Sequence, residues 1–185
     1  EKTKSFTSFR SYNSYFKSLG ILIDQEKRKL FISKEIMKLS NKKKLKINLK
    51  KELLEEITNI VEKPKILFCE FDKKYLMIPK EILIITMQSH QKYFPTFDNK
   101  QNLTNNFIVV ADKKDPKGFV KLGNERVIEA RLNDAEFFWK KNRSQNLVKQ
   151  VSKLKNINYF KGLGTYFDKV QRIRKLCGII SDEML

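Results

Sequence analysis

The sequence predicts an α+β fold in which a small mixed antiparallel sheet packs against several helices. Three observations support this class. Long segments repeat apolar residues at helical spacing, shorter apolar runs lie between turn-forming residues, and the two do not alternate as regular strand–helix–strand units. An apolar content of 41% with 14 Phe among 185 residues is sufficient for a folded core.

The N-terminal part is predicted to be mostly helical. Its predicted elements are a helix at 8–19 with Ser8 as N-cap, a brief strand at 21–23, a basic amphipathic helix at 24–39, a lysine-rich connection at 41–46 and a helix at 50–61. Pro64 ends the last of these helices, because proline lacks the backbone donor that a helix needs and restricts the residue before it.

The middle of the chain carries the strand signals. The predicted elements here are a strand at 66–71, a turn at 72–74, a strand at 75–78, a helix from Pro79 to His90, and two β-like runs at 93–97 and 106–111. The last two runs are joined by the polar segment 98–104, which predicts a β-hairpin.

The segment from Gly123 to Trp139, GNERVIEARLNDAEFFW, interleaves charged, small and aromatic residues and is predicted to be the centre of a helix that follows Pro116 and runs to about Lys141. Its predicted buried stripe consists of Ile128, Leu132, Ala135 and Trp139. Arg131 and Asp134 lie beside this stripe, three residues apart, where they can pair.

The C-terminal part is predicted to contain a short helix at 145–154 and a longer helix that begins at Thr165. Gly162-Leu163-Gly164 is interpreted as a helix-entry turn, and Asp168 follows Thr165 at the spacing of a capping box. The predicted apolar stripe of the longer helix comprises Tyr166, Val170, Ile173, Cys177 and Ile180.

The net charge of +18 and a pI of about 9.8 indicate a polyanionic partner, with nucleic acid as the first suspect. A second interpretation stays open. Nearly all of the excess is Lys, while Asn and Ile are also abundant, and an AT-rich genome would produce such a composition on any surface. A nucleic-acid surface would bind with an affinity that depends on salt, whereas surface lysines that arose by compositional drift would add only weak nonspecific binding.

The other compositional features predict a cytoplasmic protein without a membrane segment. No apolar run approaches the length of a membrane helix, and Cys69 and Cys177 are far apart, so both are expected to be reduced, buried thiols. Since the chain starts at Glu1 without Met and stops at Leu185 inside a helical pattern, we expect a piece of a longer protein.

The residue inventory predicts no bond-making chemistry in this chain, and neither a metal site nor a cofactor site. His90 is the only histidine and has no marked nucleophile near it, so a structural role is favoured. The glycine pattern lacks both a phosphate-binding P-loop and a dinucleotide fingerprint. No carboxylate pair lies in the isolated apolar setting that acid–base catalysis needs.

Four residues are candidates for RNA contact: Lys92, Tyr93, Arg126 and Arg131. Lys92 could contact phosphate and Tyr93 could stack on a base, or the Tyr93-Phe94 pair could alternate between core and surface. The arginines could bind phosphate, or could pair within the helix with Glu129 and Asp134. Exposed pairs of this kind contribute only about 0–1 kcal/mol.

At several motifs the chain resembles the beta subunit of the bacterial heterotetrameric glycyl-tRNA synthetase. The motifs that carry the resemblance lie at 53–64 (LLEEITNIVEKP), 87–95 (MQSHQKYFP), 106–111 (NFIVVA), 123–138, 163–165 (LGT), 168–170 (DKV) and 172–173 (RI). Their order and gaps also agree, and the resemblance is looser over the lysine-rich first fifty or so residues.

The resemblance implies a non-catalytic slice of a glycine–tRNA ligase. Its implied partners are the glycine tRNA and the alpha subunit, which binds the ATP and glycine that the intact enzyme uses. It implies an α+β middle domain at 1–161, similar to a module of the phenylalanyl-tRNA synthetase beta subunit. Residues 162–185 would then begin an all-α, HD-type domain. No DNA or membrane partner is expected.

Two other functions stay open. The chain could be a structural scaffold that docks the alpha subunit without touching RNA, or a basic module that binds RNA nonspecifically through lysine charge. Cognate and non-cognate tRNA should bind alike only in the nonspecific case.

Overall fold

The computed structural model describes residues 3–184. The chain divides into two compact units, Glu1–Trp139 and Lys140–Leu185, so the division lies within the long central helix. The boundary suggested by the sequence, between residues 161 and 162, lies further along the chain. Each unit is described by itself below.

The first unit combines helices with a four-stranded sheet. Its elements are α1 (Phe9–Ser18), α2 (Gln25–Lys43), β1 (Lys46–Ile47), α3 (Lys51–Ile60), β2 (Lys65–Glu70), a 3₁₀ turn (Lys73–Met77), α4 (Lys80–Ile85), a π turn (Thr86–His90), β3 (Phe94–Phe97), β4 (Leu103–Ala111) and most of α5 (Phe119–Ser144). This architecture confirms the predicted α+β class with a small antiparallel sheet.

The sheet has the strand order β1-β3-β4-β2, and every neighbouring pair is antiparallel. The predicted hairpin is β3–β4, and its turn is closed by Asp98, whose carboxylate accepts from the backbone N–H groups of Lys100 and Asn102, each at 2.8 Å. The longest ladder joins β2 to β4, from Lys65 opposite Ala111 to Glu70 opposite Asn106.

Side chains of β2 and β4 alternate between two apolar cores, one on each face of the sheet. On one face, Ile66, Phe68 and Ile108 pack against α2 and α3. On the other face, Cys69 and Phe107 pack against residues of the 3₁₀ turn, α4 and α5. Both cores therefore depend on the register of a single strand pair, because a one-residue slip would exchange the two faces.

Side chains stabilise the helix ends in this unit, and Ser8 is confirmed as the predicted N-cap. Ser8 caps α1 by accepting from the N–H of Ser11 at 3.2 Å. Asp24 caps α2 by accepting from Lys27 at 3.1 Å. The carboxylate of Asp115 accepts from the N–H groups of Val120 and Lys121 at the start of α5. These backbone donors hold the pKa of Asp115 below its ordinary value.

The strand predicted at 21–23 is wrong. Its carbonyl groups do not enter a sheet, because the guanidinium of Arg28 donates to the carbonyl oxygens of Leu22 and Ile23. One backbone bond, from Leu22 N to the oxygen of Glu62 at 2.8 Å, ties the segment to the rest of the unit.

The strand predicted at 75–78 is also wrong, since residues 73–77 form a 3₁₀ turn. Asp72 caps this turn by accepting from the N–H of Lys74 at 2.9 Å. The turn buries Tyr75 completely, and its hydroxyl donates to the side-chain oxygen of Asn133 on α5 at 2.6 Å.

The basic helix is longer than predicted, because α2 continues to Lys43 through residues expected to be a connection. Lysine is a good helix former, so a lysine run does not end a helix. The helix stops at Lys44, whose φ of 56° is left-handed. Strand β1, which follows at once, lies in the same lysine-rich stretch and has no apolar run to predict it.

The second unit contains the end of α5 and smaller elements. These are α6 (Leu147–Gln150), a 3₁₀ turn (Val151–Asn156), β5 (Asn158–Phe160), β6 (Gly164–Thr165) and α7 (Tyr166–Met184). The segment Gly162-Leu163-Gly164, interpreted from the sequence as a helix-entry turn, also forms part of a strand pair, because Gly162 lies in the turn that joins β5 to β6. The expected capping box is present: Thr165 N donates to Asp168 Oδ2 at 2.7 Å, and Asp168 N donates to Thr165 Oγ1 at 3.3 Å.

The apolar stripe predicted for α7 is exposed. Ile173 is 48% exposed and Ile180 is 53% exposed. Cys177 on the same helix is exposed too, so the prediction of two buried thiols holds only for Cys69. Nothing in residues 3–184 forms a helix both long enough and apolar enough to cross a membrane.

Replacement of Leu132 by Ala should lower the free energy of unfolding by about 2–5 kcal/mol, because this side chain is fully buried and its loss leaves a cavity. Val127→Ala is the matched control, since Val127 lies on the same helix and is 44% exposed. Its expected effect is within about 0.5 kcal/mol. Denaturant unfolding of both variants would measure the difference, and equal effects would contradict the assigned core face.

The two cysteines should differ sharply in reactivity. Burial raises the pKa of Cys69 to about 12, so at pH 8 almost none of it is thiolate, the form that reacts. Alkylation of the native chain with iodoacetamide, followed by mass spectrometry, should modify Cys177 alone, and both residues in denaturant. Rapid modification of Cys69 without denaturant would contradict its burial.

Candidate nucleic-acid interface

Helix α5 carries both candidate arginines and is held to the first unit at several points. Ile128 and Leu132 are completely buried in the core beneath the sheet. Glu125 Oε1 accepts from the backbone N–H of Glu70 at 2.8 Å, at the outer edge of β2. The hydroxyl of Tyr75 donates to Asn133, as described above. The predicted stripe is thus confirmed at its centre, and Trp139 packs against the same core.

Tyr93 is part of this attachment and not of the surface. Its side chain is only 5% exposed, and its ring stacks on Phe107 with the ring centroids 5.0 Å apart. Its hydroxyl donates to the side-chain oxygen of Asn124 at 2.6 Å, and Asn124 Nδ2 donates to the carbonyl of Val120 at 2.7 Å. Burial raises the pKa of Tyr93 to about 12. The ring therefore has no open face on which a base could stack, and the packing interpretation fits this residue.

Lys92 lies between two structured elements. It follows the π turn and has a φ of 59°, and this left-handed conformation turns the chain so that Tyr93 enters the core. Tyr93 N donates to the carbonyl of Met87 at 2.9 Å, which closes the turn. The Lys92 ammonium lies 2.8 Å from Glu56 Oε1 on α3, with the lysine side chain one-third exposed. A phosphate contact would have to compete with this ion pair.

Arg126 and Arg131 are exposed on α5. Among residues 3–184, no ion pair within 4.0 Å joins Arg126 to Glu129 or Arg131 to Asp134, so the intrahelical pairing considered above is not formed. Arg126 borders an open recess of about 470 Å³ whose other charged lining residues are Glu70, Asp72, Lys73, Glu125 and Glu129.

Two of the four candidates, Arg126 and Arg131, lie on α5, and Tyr93 is bonded to it, whereas Lys92 pairs with Glu56 on α3. Tyr93 joins α5 directly through Asn124, Lys92 is its neighbour in the chain, and Arg126 lies two residues beyond Asn124. Arg131 lies further along the same helix. Sequence reasoning missed Asn124, Glu125 and Asn133, which fix α5 in place. Helical spacing could have identified Asn124, because it precedes the buried Ile128 by one helical turn and so lies on the same side of the helix.

Among the residues that the structure describes, no group of three or more His, Cys, Asp or Glu side chains could hold a metal ion. His90 is exposed at the end of the π turn. What the geometry offers is a helix with two exposed arginines, anchored to the sheet of an α+β unit beside a buried tyrosine–asparagine bond.

The first unit thus belongs to the class of α+β domains in which helices pack on an antiparallel sheet. Comparison with known proteins gives the particular family. The model of the glycyl-tRNA synthetase beta subunit family matches residues 1–185, and the chain belongs to this family.

Curated relatives agree with this assignment. The chain is 43% identical over 167 residues to the glycine–tRNA ligase beta subunit of Dictyoglomus thermophilum, which covers 90% of the chain and 24% of that protein. It is 37% identical over all 185 residues to the corresponding subunit of Clostridioides difficile, covering 27% of that protein. The chain therefore spans about a quarter of the length of the curated relatives that it matches.

Tyr93→Phe should lower the free energy of unfolding by about 1–2 kcal/mol, because it removes the hydroxyl donor and leaves the side-chain oxygen of Asn124 without it. The ring stack on Phe107 would remain. Thermal or denaturant unfolding would measure the loss. An unchanged stability would show that the bond between Tyr93 and α5 carries no net free energy.

Proposed function

We propose that this chain is a non-catalytic, tRNA-handling part of a glycine–tRNA ligase. It would support the ATP-dependent attachment of glycine to its tRNA by binding tRNA and organising the subunits, while the alpha subunit binds ATP and glycine. Family membership supports the role in glycyl-tRNA synthesis. The whole-enzyme activity and both partners are inferred from relatives that carry the name glycine–tRNA ligase beta subunit.

The observation that carries the tRNA proposal is the pair of exposed arginines on a fixed helix. Because α5 is anchored by Ile128, Leu132 and the bond from Tyr93, its outward face is positioned before any ligand binds. Arg126 and Arg131 are not held by the ion pairs expected for them, so a phosphate would have no such pair to displace. Guanidinium groups suit phosphate because they can donate two parallel hydrogen bonds.

Further parts of the proposal follow from the resemblance. We infer a cytoplasmic location, an α+β middle domain over residues 1–161, and an HD-type helical domain that begins with α7. The exposed apolar residues on α7 support a helical partner for this element, because monomeric proteins rarely expose contiguous apolar stripes.

A scaffold is the second candidate function, and the same α7 stripe favours it. Leu176 is 57% exposed, and Ile173 and Ile180 are similarly open. In this alternative the chain would dock the alpha subunit or other parts of its own subunit, and its arginines would be surface residues without an RNA contact.

The double substitution of Arg126 and Arg131 by Ala should weaken binding of glycine tRNA without lowering the melting temperature. Each lost phosphate contact is expected to weaken binding about fivefold at physiological salt, so the pair should cost about 25-fold. The matched control, Arg126→Lys with Arg131→Lys, keeps both charges and should retain most of the affinity. Equal losses of stability and binding would instead assign the arginines to packing.

A salt titration with glycine tRNA and a non-cognate tRNA distinguishes specific recognition of the glycine tRNA from nonspecific electrostatic binding. Tighter cognate binding that survives moderate salt is expected if the chain contributes base or shape contacts. Equal binding that disappears with salt would show that the lysines act generically and would favour the scaffold. Fluorescence anisotropy at several salt concentrations gives both affinities and their slopes.

A further inference from the structure

A second charged surface lies at the far end of α2, away from the candidate arginines. Six lysines and no acidic residue occur between residues 42 and 51. Four of them lie within five positions where α2 ends and β1 begins. This group, the β1-edge lysine cluster, consists of Lys42, Lys43, Lys44 and Lys46.

Ion pairing stops before this cluster. Earlier in α2, Lys27 pairs with Asp24, Lys29 with Glu55 and Lys38 with Glu35. In the part of the chain that the structure describes, no member of the cluster has a carboxylate within 4.0 Å. All four residues are exposed. The first part of the helix is thus nearly neutralised, while its last turn is not.

Structural roles explain some of these lysines but not all. Lys42 and Lys43 lie in the last helical turn, where a cation is favoured by the helix dipole. Lys46 lies on a short edge strand, where lysine discourages strand pairing with other chains. Lys44, however, takes the left-handed position that ends the helix, which glycine or asparagine normally occupies. A lysine there costs stability and adds charge.

The backbone beneath the cluster is fixed. Ser40 is 2% exposed, its hydroxyl donates to the carbonyl of Leu45 at 2.6 Å, and Leu45 N donates to the carbonyl of Ser40 at 3.0 Å. Lys46 then pairs with Phe97 in the ladder between β1 and β3. The Lys43 ammonium lies 4.8 Å from the centre of the Phe68 ring. A ligand would therefore meet a preformed platform and only the side-chain ends would need ordering.

We propose that the β1-edge lysine cluster binds the phosphate backbone of tRNA, as a contact separate from α5; this inference rests on the proposed tRNA function. Ammonium groups contact phosphate as point charges and do not read bases. The segment offers no exposed aromatic ring for stacking, because its residues are Asn, Lys, Leu and Ile. The cluster therefore supplies affinity that is the same for every tRNA.

The sheet separates this contact from the arginines. Strands β1 and β2 are the two edges of the four-stranded sheet, about 14 Å apart at the usual strand spacing. Helix α2 packs on one face, whereas α5 packs on the other and touches the β2 edge through Glu125. No single phosphate can touch both surfaces, so their contributions are separable by mutation.

The test uses the natural full-length chain together with its alpha subunit. The cluster variant combines Lys42→Gln, Lys44→Asn and Lys46→Gln, and leaves Lys43 because of its contact with Phe68. Asn suits the left-handed position of Lys44, so the fold should not be weakened. The matched control, Lys113→Gln with Lys114→Gln and Lys117→Gln, removes the same charge from an exposed loop that also carries Asp112 and Asp115.

The cluster variant should bind glycine tRNA and a non-cognate tRNA more weakly by the same factor. Three lost contacts should lower the slope of log affinity against log salt by about 2–3, and weaken binding at physiological salt by about one to two orders of magnitude. The control should change either quantity by much less, and both variants should keep the melting temperature of the parent.

Three results would overturn the inference. Equal losses in the cluster variant and the control would mean that only total charge matters. An unchanged affinity in the cluster variant, with a loss in the Arg126/Arg131 variant, would reject the cluster and leave the proposed function standing. Absence of tRNA binding by the parent protein would reject both.

Discussion

The antiparallel pairing of β2 with β4 is the interaction on which the rest of the first unit depends. It places Ile66 and Phe68 on one face and Cys69 on the other, and so divides the apolar residues into two cores. Helices α2 and α3 are held by one core, and α4 and α5 by the other. Every charged surface discussed above is positioned by helices or strands that are attached through this one ladder.

The sequence predicted elements whose signals are local. The hairpin turn that begins at Asp98, the N-cap of α1, and the core positions Ile128 and Leu132 follow from residue type and spacing, and all are confirmed. Two failures occurred where a side chain bonds between a segment and another element. Arg28 on α2 donates to the carbonyls at 22–23, and the hydroxyl of Tyr75 in the 3₁₀ turn donates to Asn133 on α5. The apolar spacing on which the strand predictions relied contains no sign of either bond.

The candidate site could be predicted in part for the same reason. Arg126 lies off the predicted apolar stripe and Arg131 lies beside it, so helical spacing alone places both outside the core, and both are exposed. The environment of Lys92 and Tyr93 cannot be predicted from spacing, because it depends on a left-handed residue after a π turn and on partners in α3 and α5. Lys92 and Tyr93, two adjacent candidates for RNA contact, therefore differ: Lys92 forms a surface ion pair, and Tyr93 is a core residue whose hydroxyl attaches α5.

Because the cores and the charged surfaces use different residues, the surface composition of such a domain can change without a change in its cores. The lysines outside ion pairs contribute little to the free energy of folding, since exposed charges interact weakly in water. Compositional drift towards lysine can then add positive charge without disturbing either core. Drift alone predicts lysine where any residue is tolerated, but Lys44 occupies a position where side chains other than Asn are disfavoured. Composition alone does not account for the backbone cost at Lys44, which the proposed phosphate contact would offset, whereas the loop lysines near Asp112 carry no such cost.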